Sequence, residues 1–480
     1  MKPVWIAIIG AAGACTSAHA SSWGVPLDFS TIGDAIDRAV DGDTIRVAAG
    51  TWYERLDFGG KNLVVEGAPQ GFGGGPYRTV IEGQGQGSVV SFVNGESRGA
   101  TLRHLIIQGG AGTIHPEREM LAGGGIYIWG ASPTIDSCEV RFNVTLGGYG
   151  AGIFCSNGAP RIVDCVIQSN DSANGFGGGL HCQAASAEIS RCSVIGNRSY
   201  DGGGIYCGGR CQPLISDCEI RGNRCPNGWG GGMHCSRDSE PVVDGCVIAE
   251  NSALLAGGGI GVRYSAPSIL NCVIERNAVT RLDGGGVALR WAEGEICNTV
   301  IRQNVAERAG GGVAIQHSST TRFRNVLFSG NHAEEQGGAV HVYQANPVLD
   351  FCTIAGNRAL GEGGGVYAMG ATQMEIRNSI LWEDIGGEIA GDGQGPVVQW
   401  TNVPGGWPGE GNLDADPRFA VYKELKYVLR GGSPCIDAGD SELSDTIYDA
   451  NPAWPDDVAN GSRADMGAYG GPANRYWFTN

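Results

Sequence analysis

The sequence has little positive charge and few long hydrophobic runs. Its 480 residues include 33 lysines and arginines against 50 aspartates and glutamates, which gives a formal net charge of −17. Nucleic acids and anionic membranes are bound through basic surfaces, so this balance disfavours both as partners. After the first 20 residues, no apolar run is long enough to span a bilayer. The composition therefore indicates an acidic, solvated surface and no membrane span.

Glycine, in contrast, is abundant and periodic. A glycine triplet, with one alanine in two of its copies, occurs ten times among the 82 glycines and is always followed by Ile, Leu, Met or Val. The triplets begin at residues 123, 150, 177, 202, 230, 257, 284, 310, 337 and 363. A fixed period of about 27 residues predicts a repeat architecture in which each repeat forms one coil. We number these coils one to ten.

Each coil carries apolar residues at alternate positions in three segments, which predicts three short β-strands. In coil one the first strand contains Ile126 and Ile128, the second contains Ile135, and the third contains Cys138 and Val140. An asparagine follows the third strand in nine coils, namely Asn143, Asn170, Asn197, Asn223, Asn251, Asn277, Asn304, Asn331 and Asn357. Asparagine tolerates left-handed backbone at a corner, and its side chain can hydrogen-bond along the stack.

Coils that stack and share one core form an all-β parallel β-helix of three strands per coil. The repeats resemble the right-handed parallel β-helix, or pectin-lyase-like, superfamily. Residues 328–331 (Phe-Ser-Gly-Asn) and 337–340 (Gly-Gly-Ala-Val) also resemble the repeats of polymorphic outer-membrane proteins. Residues 433–440 (Ser-Pro-Cys-Ile-Asp-Ala-Gly-Asp) and 465–470 (Asp-Met-Gly-Ala-Tyr-Gly) resemble a C-terminal module of secreted bacterial β-helix proteins. These resemblances imply a fold and leave the function open.

Four regions follow from these patterns. Residues 1–20 read as a signal peptide cleaved near Ala20, which predicts a secreted, periplasmic or cell-surface protein; cleavage before Cys15, as in a lipoprotein, is the alternative. Residues 21–110 are expected to hold a capping helix within 28–42 and irregular first coils. Residues 111–384 form the regular coils, and 385–480 form a C-terminal capping module. We expect a monomer.

The capping module also contains four aspartates that are candidates for Ca²⁺ binding. They are Asp414, Asp416, Asp437 and Asp440. Clustered carboxylates suit a hard cation. The alternative is that these side chains cap turns.

The chain has 16 cysteines, of which eleven fall on two inward rows of the coils. Stacked neighbours about 4.8 Å apart are too wide for a disulfide, so these thiols are interpreted as small buried hydrophobes. Cys211 and Cys225 lie off these rows and are candidates for one disulfide.

The outward side of the first strand is where a site is expected. Its residues are Tyr127, Phe154, His181, Tyr206, His234, Gly261, Ala288, Ala314, His341 and Tyr367. The three small residues predict a trough. Arg263, Tyr264, Arg290, Trp291, His317 and Tyr343 stand beside it.

Rings pack on apolar sugar faces and arginine pairs with a uronate carboxylate, so the trough is expected to bind an extracellular polysaccharide, preferably an acidic one. The substrate-binding candidates are His234, Tyr264, Trp291, Tyr206 and Arg237. The alternative is that the outward rings only cover the sheet and stack between coils.

Three function classes remain. A polysaccharide lyase needs a base, for which His317, His341 and Tyr343 are candidates, and a charge that stabilises the enediolate, for which Arg263 and Arg290 are candidates. A glycoside hydrolase needs two carboxylates and is less supported, since Asp238, Glu240 and Glu293 are expected in loops. The third class is a non-catalytic, adhesin-like surface module.

Overall fold

The computed structural model describes residues 20–68, 79–117, 119–370, 373–393, 395–423, 425–444 and 461–472. Within them the chain forms a parallel β-solenoid with one short helix. This confirms the predicted fold class. The predicted signal peptide lies, apart from Ala20, outside the described residues.

The first strand of each coil belongs to one parallel sheet, called here the first sheet. Its thirteen strands are Leu56–Asp57, Val90–Phe92, Ile126–Trp129, Ile153–Ser156, Leu180–Gln183, Ile205–Gly208, Met233–Ser236, Ile260–Arg263, Val287–Arg290, Val313–Gln316, Val340–Tyr343, Val366–Met369 and Ile389–Gly391. Neighbouring strands pair residue for residue, as the repeat alignment requires.

The second and third strands of the coils form two rows of one larger sheet, called the second sheet. The row of second strands comprises Ser22–Val25, Thr44–Val47, Val64–Gly67, Thr101–Arg103, Thr134–Asp136, Arg161–Val163, Glu188–Ser190, Leu214–Ser216, Val242–Asp244, Ser268–Leu270, Val348–Asp350, Glu375–Arg377 and Val397–Gln399. The row of third strands comprises Gly50–Trp52, Thr79–Glu82, Ile106–Gln108, Glu139–Arg141, Val166–Gln168, Ser193–Ile195, Glu219–Arg221, Val247–Ala249, Val273–Glu275, Thr353–Ala355 and Ile380–Trp382. The long strands Glu295–Arg302 and Arg322–Ser329 run through both rows and join them.

Three smaller features complete the secondary structure. A small sheet after the asparagine corner was not predicted and contains Arg224–Cys225, Ser252–Ala253, Ala278–Val279, Val305–Ala306, His332–Ala333 and Arg358–Ala359. Two antiparallel hairpins pair Thr113–Ile114 with Leu121–Ala122 and Phe419–Tyr422 with Leu425–Leu429.

The core is a continuous column of inward side chains. Ile135, Ile162 and Ile189 are paired neighbours in the second sheet and are fully buried, as predicted. Ile220 lies in the same core. Removing such apolar surface from water is the main term that stabilises the stacked coils.

The glycine triplet is required because the coils approach closely there. In coil seven, Gly284 has a φ of +74°, a left-handed backbone that favours glycine. A Cβ on Gly285 would lie 2.5 Å from the carbonyl oxygen of Gly311, and one on Gly286 would lie 2.6 Å from that of Gly312. A side chain at either position would therefore require the neighbouring backbone to shift; two other coils accommodate an alanine in the triplet, at Ala151 and Ala339.

The corner asparagines form the predicted ladder of hydrogen bonds along the rod. In each step the side-chain Nδ2 donates to Oδ1 of the next asparagine, as from Asn223 to Asn251 at 3.0 Å. The same Nδ2 also donates to a carbonyl of the preceding coil, such as that of Val194 at 2.8 Å. The ladder ends where Asn357 donates to a carboxylate oxygen of Asp384.

A short helix covers the N-terminal end of the core. It spans Ile32–Arg38, with Thr31 as the N-cap whose side chain accepts from the Asp34 N–H. Glu54 accepts hydrogen bonds from the Ile32 and Gly33 amides, which satisfies the other free donors of the first turn. The helix is shorter than the predicted 28–42 because Ala39 is already extended.

The C-terminal region closes the rod and also packs along its side. Trp407 packs on the end of the core. Further on, Asn325 donates to the carbonyls of Ala468 and Gly470, at 3.0 and 2.7 Å, and the Ala468 amide donates to Thr353 Oγ1 at 2.9 Å. The segment 465–470 therefore lies on the outer face of the second sheet.

The fifteen cysteines that the structure describes are free thiols, and fourteen of them are buried. The stacked pair Cys155 and Cys182 has its sulfurs 3.3 Å apart. The predicted disulfide between Cys211 and Cys225 is absent. Cys211 packs in the core of the rod, whereas Cys225 packs in a separate cluster with Ala253 and Val279.

Candidate functional site

In coils two to five the outward row of the first sheet is covered by rings from the chain segment that precedes a triplet: Tyr149 lies against Phe154 and His181, Phe176 against Tyr206, and Trp229 against His234. In coils one to five its rings stack on one another: Tyr127 on Phe154 at 5.6 Å between centroids, His181 on Tyr206 at 4.7 Å, and Tyr206 on His234 at 5.4 Å. Tyr206 and His234 are 6% and 3% exposed, so these two substrate-binding candidates lie inside a covered stack. In coils one to five the structure therefore matches the alternative interpretation, in which the outward rings cover the sheet and stack between coils.

The predicted trough over Gly261, Ala288 and Ala314 is not open, and this expectation is wrong. Ala288 and Ala314 are only 3% and 1% exposed. The small side chains make room for the polar residues Asp283 and Gln316, which are themselves buried. The outward face thus changes from stacked rings to a polar network at coil six.

That network is held by Asp283. Its carboxylate accepts hydrogen bonds from Arg308, at 2.7 Å from Nε and again from Nη2, and from Gln316 Nε2 at 2.7 Å. Gln316 Oε1 in turn accepts from Arg290 Nη2 at 2.7 Å. Arg290 also lies over the Trp229 ring, 4.8 Å from its centroid. The chain of contacts fixes Arg290 at the surface.

An exposed row of rings lies at the corner that follows the first strand. Tyr264, Trp291 and His317 all have left-handed backbone, with φ of 52°, 48° and 53°. Trp291 stacks on Tyr264 at 4.7 Å and on His317 at 4.8 Å. Both faces of Trp291 are therefore occupied, and the edge of this ring meets the solvent. We call these three residues the corner ladder.

Arginines flank the corner ladder. Arg263 lies 5.4 Å from the Tyr264 centroid and 5.8 Å from that of Trp291, and Arg290 lies 5.8 Å from Trp291. These cation–π contacts hold the guanidinium groups beside the rings. Neither arginine forms an ion pair with another residue in the described part of the chain.

A pocket of about 290 Å³ next to the ladder brings together four of the five predicted catalytic residues. We call it the basic pocket; it is lined by Arg290, Arg308, Ala309, Gln316, His317, Glu335, Gln336, His341, Tyr343 and Met369. Arg263 is the predicted catalytic residue outside this lining, although it contacts the adjoining ladder.

The two histidines of the basic pocket are uncharged at neutral pH. Burial, and secondly the charge of Arg290, lowers the pKa of His317. Burial lowers the pKa of His341 to about 4. His317 is half-buried and His341 is 7% exposed, so His317 is the neutral imidazole that a ligand can reach.

A groove of about 300 Å³ on the other side of the ladder is lined by Tyr264, Trp291 and three carboxylates, those of Asp238, Glu240 and Glu293. The sequence analysis expected these acids in loops, without bringing them to one site. Glu240 and Glu293 occupy equivalent corners two coils apart: the Glu240 amide donates to the Cys211 carbonyl and the Glu293 amide to that of Ser265. Their equivalent repeat positions are the sequence signal that brings them together. Carboxylates therefore lie on the groove side of the corner ladder, and Arg290 and Arg308 lie on its other side.

The remaining predicted site residues lie elsewhere. Arg237 lines a small cleft near Tyr206, away from the basic pocket. The four Ca²⁺ candidates accept hydrogen bonds from backbone amides: Asp414 from Gly405, Asp416 from Arg418, Asp437 from Gly461, and Asp440 from Glu442. No cluster of three or more metal-binding side chains occurs in the described ranges.

Comparisons with known proteins address the fold. Residues 124–296 match the family described as a right handed beta helix region, and residues 325–343 match the Chlamydia polymorphic membrane protein repeat. A search among curated proteins finds no match. No helix in the described part of the chain is long and apolar enough to cross a membrane.

Solved structures show distant likeness. Pectate lyase Pel9A is 13% identical with a TM-score of 0.36, covering 93% of this chain and 96% of its own. The A-module of an Azotobacter vinelandii mannuronan C-5 epimerase is 13% identical with a TM-score of 0.31, covering 78% and 99%. A mannuronic acid specific family 6 lyase from human gut microbiota is 11% identical with a TM-score of 0.32, covering 74% and 86%.

At scores this low, these likenesses carry no argument about function. The family matches and the stacked sheets together give the architecture. The chain has the right-handed parallel β-helix fold, and one of its later coils carries a repeat similar to that of the Chlamydia polymorphic membrane proteins.

Proposed function

We propose that the basic pocket and the corner ladder bind an extended acidic polysaccharide outside the cell. The observation that carries the proposal is the position of Arg290. Its guanidinium is fixed by Gln316 and by two tryptophan rings, lines the pocket, and has no acidic partner in the described part of the chain. A fixed, unpaired guanidinium suits a uronate carboxylate.

The net charge of −17 does not prevent this binding. At physiological salt the screening length is about 8 Å, so a carboxylate in the pocket interacts mainly with the nearest charges. The charged groups that line the pocket are Arg290, Arg308 and Glu335. Arg308 is paired with Asp283 and Arg263 lies along the ladder, so Arg290 is the lining cation that is left for a ligand carboxylate. The ring edges of Tyr264 and Trp291 supply apolar contact beside them.

A second candidate function, cleavage of the bound chain by β-elimination, is favoured by His317. This neutral imidazole lines the pocket beside Arg290. It is suited to take the proton from the carbon next to the uronate carboxylate, while Arg290 stabilises the enediolate that forms. The electron pair of the enediolate then forms the carbon–carbon double bond as the bond to the leaving sugar oxygen breaks. That oxygen takes up a proton from water and leaves as a hydroxyl, and the other product is an unsaturated uronate.

Binding is tested by titrating the full-length protein with polygalacturonate and with neutral dextran. Arg290→Gln should weaken polygalacturonate binding roughly tenfold, the effect of losing one charge-assisted hydrogen bond. Dextran binding should not change, and the difference should shrink with added salt. Arg161→Gln, on an exposed position of the second sheet, is the matched control.

Equal binding of both polymers by all three proteins would overturn the proposal and favour a non-catalytic surface module. Elimination is tested separately by the ultraviolet absorbance of unsaturated product. His317→Gln should abolish product while leaving polygalacturonate affinity within about twofold, since glutamine keeps a polar side chain at the pocket edge. No product from the parent protein would reject elimination and leave binding untouched.

A further inference from the structure

A second cavity, of about 250 Å³, lies where the C-terminal region packs on the side of the rod. The rod contributes Arg276, Arg302 and Leu327 to its lining, and the C-terminal region contributes Lys426, Tyr427 and Tyr469. We call it the junction cavity. It is built from the outer face of the second sheet, so it is separate from the basic pocket on the first sheet.

The junction cavity is positively charged. Arg302 Nε donates to Glu275 at 2.7 Å and Arg276 Nη1 donates to the same carboxylate at 3.2 Å. Glu275 is 6% exposed, so both arginines share one buried acid. Lys426 is exposed and has no ion pair with any residue that the structure describes. Among the lining residues and their ion pairs, three cations therefore stand against one carboxylate, while Glu383 and Asp384 lie near the Tyr427 side of the cavity.

Its walls are partly apolar. Leu327 is 4% exposed and forms the floor together with Val300. Tyr469, whose hydroxyl donates to the Lys426 carbonyl at 2.8 Å, and the half-buried Tyr427 form the opposite wall. Rings opposite cations are the combination that holds a sugar carrying an anionic group. The volume lies below the roughly 300–1,000 Å³ of drug-sized ligand sites, which limits the ligand to one sugar unit.

We propose that the junction cavity is a binding site for a single sugar unit carrying an oxyanion. Lys426 and Arg302 take the anionic group, and the tyrosines and Leu327 take the ring. The two walls belong to different parts of the chain, so an occupied cavity ties the C-terminal region to the rod. Ligand binding therefore stabilises the docked position of this region, because a ligand favours the state that binds it.

The test is calorimetric titration of the full-length protein with galacturonate, glucose 6-phosphate, glucose 6-sulfate and neutral glucose. At least one anionic sugar should bind and glucose should not, and the pattern among the three identifies the anion. Lys426→Ala should lower the affinity roughly tenfold, as expected when a charge-assisted hydrogen bond is lost. Hydrogen exchange of the amides in 425–429 should slow when ligand is added.

Lys423→Ala is the matched control, because Lys423 lies over the Tyr422 ring and does not line the cavity. Equal losses in both lysine variants would mean diffuse attraction and would reject the site, as would the absence of binding by all three anions. Arg290→Gln should leave this binding unchanged. Loss of binding in Arg290→Gln alone would assign the ligand to the basic pocket and overturn the proposal.

Discussion

The outward row of the first sheet contains a first half (coils one to five) and a second half (coils six to eight) with the same backbone and different chemistry; beyond them rings return, with His341 stacked on Tyr367 in coils nine and ten. In coils one to five, rings such as Phe154 and Tyr206 stack under a cover and exclude water. In coils six to eight the same positions hold glycine or alanine, and the space is taken by Asp283, Gln316 and the arginines they bind.

A repeat can thus keep its backbone while the residue at one position determines which side chains pack above it. A ring at this position continues the apolar stack from coil to coil. A small residue leaves room for a polar network, and that network places Arg290 and His317 at the surface. The candidate site therefore lies at the coils in which the outward residue of the first strand is small, although the backbone there is the same as in the other coils.

The largest expected difference between the halves is in packing. Phe154→Ala should lower the free energy of unfolding by about 3–5 kcal/mol, because Phe154 is fully buried between rings. Ala288→Gly, at the equivalent position of coil seven, should cost only about 0.5–1 kcal/mol. Urea denaturation of both variants measures this, and equal losses would contradict the assignment of the first half as a packed stack.

The second prediction concerns pH and the buried ring of His341, which lies in coil nine beside the polar network; burial lowers the pKa of His234 in coil five in the same direction. Folding lowers the pKa of His341 from 6.5 to about 4, so the unfolded chain binds the proton more tightly. Above pH 6.5 this histidine does not reduce the free energy of unfolding. As the pH falls from 6.5 to 4, proton binding by the unfolded chain lowers the free energy of unfolding by an amount on the order of 3 kcal/mol. Asp283 and Arg308 face this ring and have opposing, smaller effects on its pKa. His341→Phe should therefore lose less stability than the parent between pH 7 and 4.5, as melting temperatures would record. A parallel loss in both proteins would contradict the assignment.

The smallest expected difference concerns charge. Asp283→Asn should cost about 1–3 kcal/mol, because the buried carboxylate holds both Arg308 and Gln316. Asp171→Asn breaks an exposed pair with Arg198 in the first half and should cost at most about 1 kcal/mol. Thermal melts at two salt concentrations compare them. A larger loss for Asp171→Asn would show that the network does not stabilise the second half.

The fold was predictable because its signals repeat. One period of glycines, apolar rows and asparagines fixes strand order and register, and the pairing of Ile135 with Ile162 follows from it. The resemblance to known β-helices added the handedness. The small sheet after the asparagines was missed, since two-residue strands such as Ser252–Ala253 have no alternation to detect.

The site was only partly predictable. The sequence brought Arg290, His317, His341 and Tyr343 together because repeat position determines neighbours. It did not reveal that the outward row is covered, since the covering segment precedes the triplet and carries no common residue type. It also missed the carboxylates beside Tyr264, because corner residues were not aligned between coils.

The asparagine ladder gives the rod a chemical direction. Along the row, the side-chain Nδ2 of one asparagine donates to Oδ1 of the asparagine in the following coil. All of these asparagine-to-asparagine hydrogen bonds therefore run in the same direction along the rod. Such a chain can be lengthened or shortened by whole coils without changing any single link. It can stop only at a group that accepts and need not donate onward, and Asp384 is such a group, taking bonds from the backbone amide and the side chain of Asn357. A single change from amide to carboxylate thus ends the ladder, while the coils themselves continue past it through Ile389–Gly391 and Val397–Gln399.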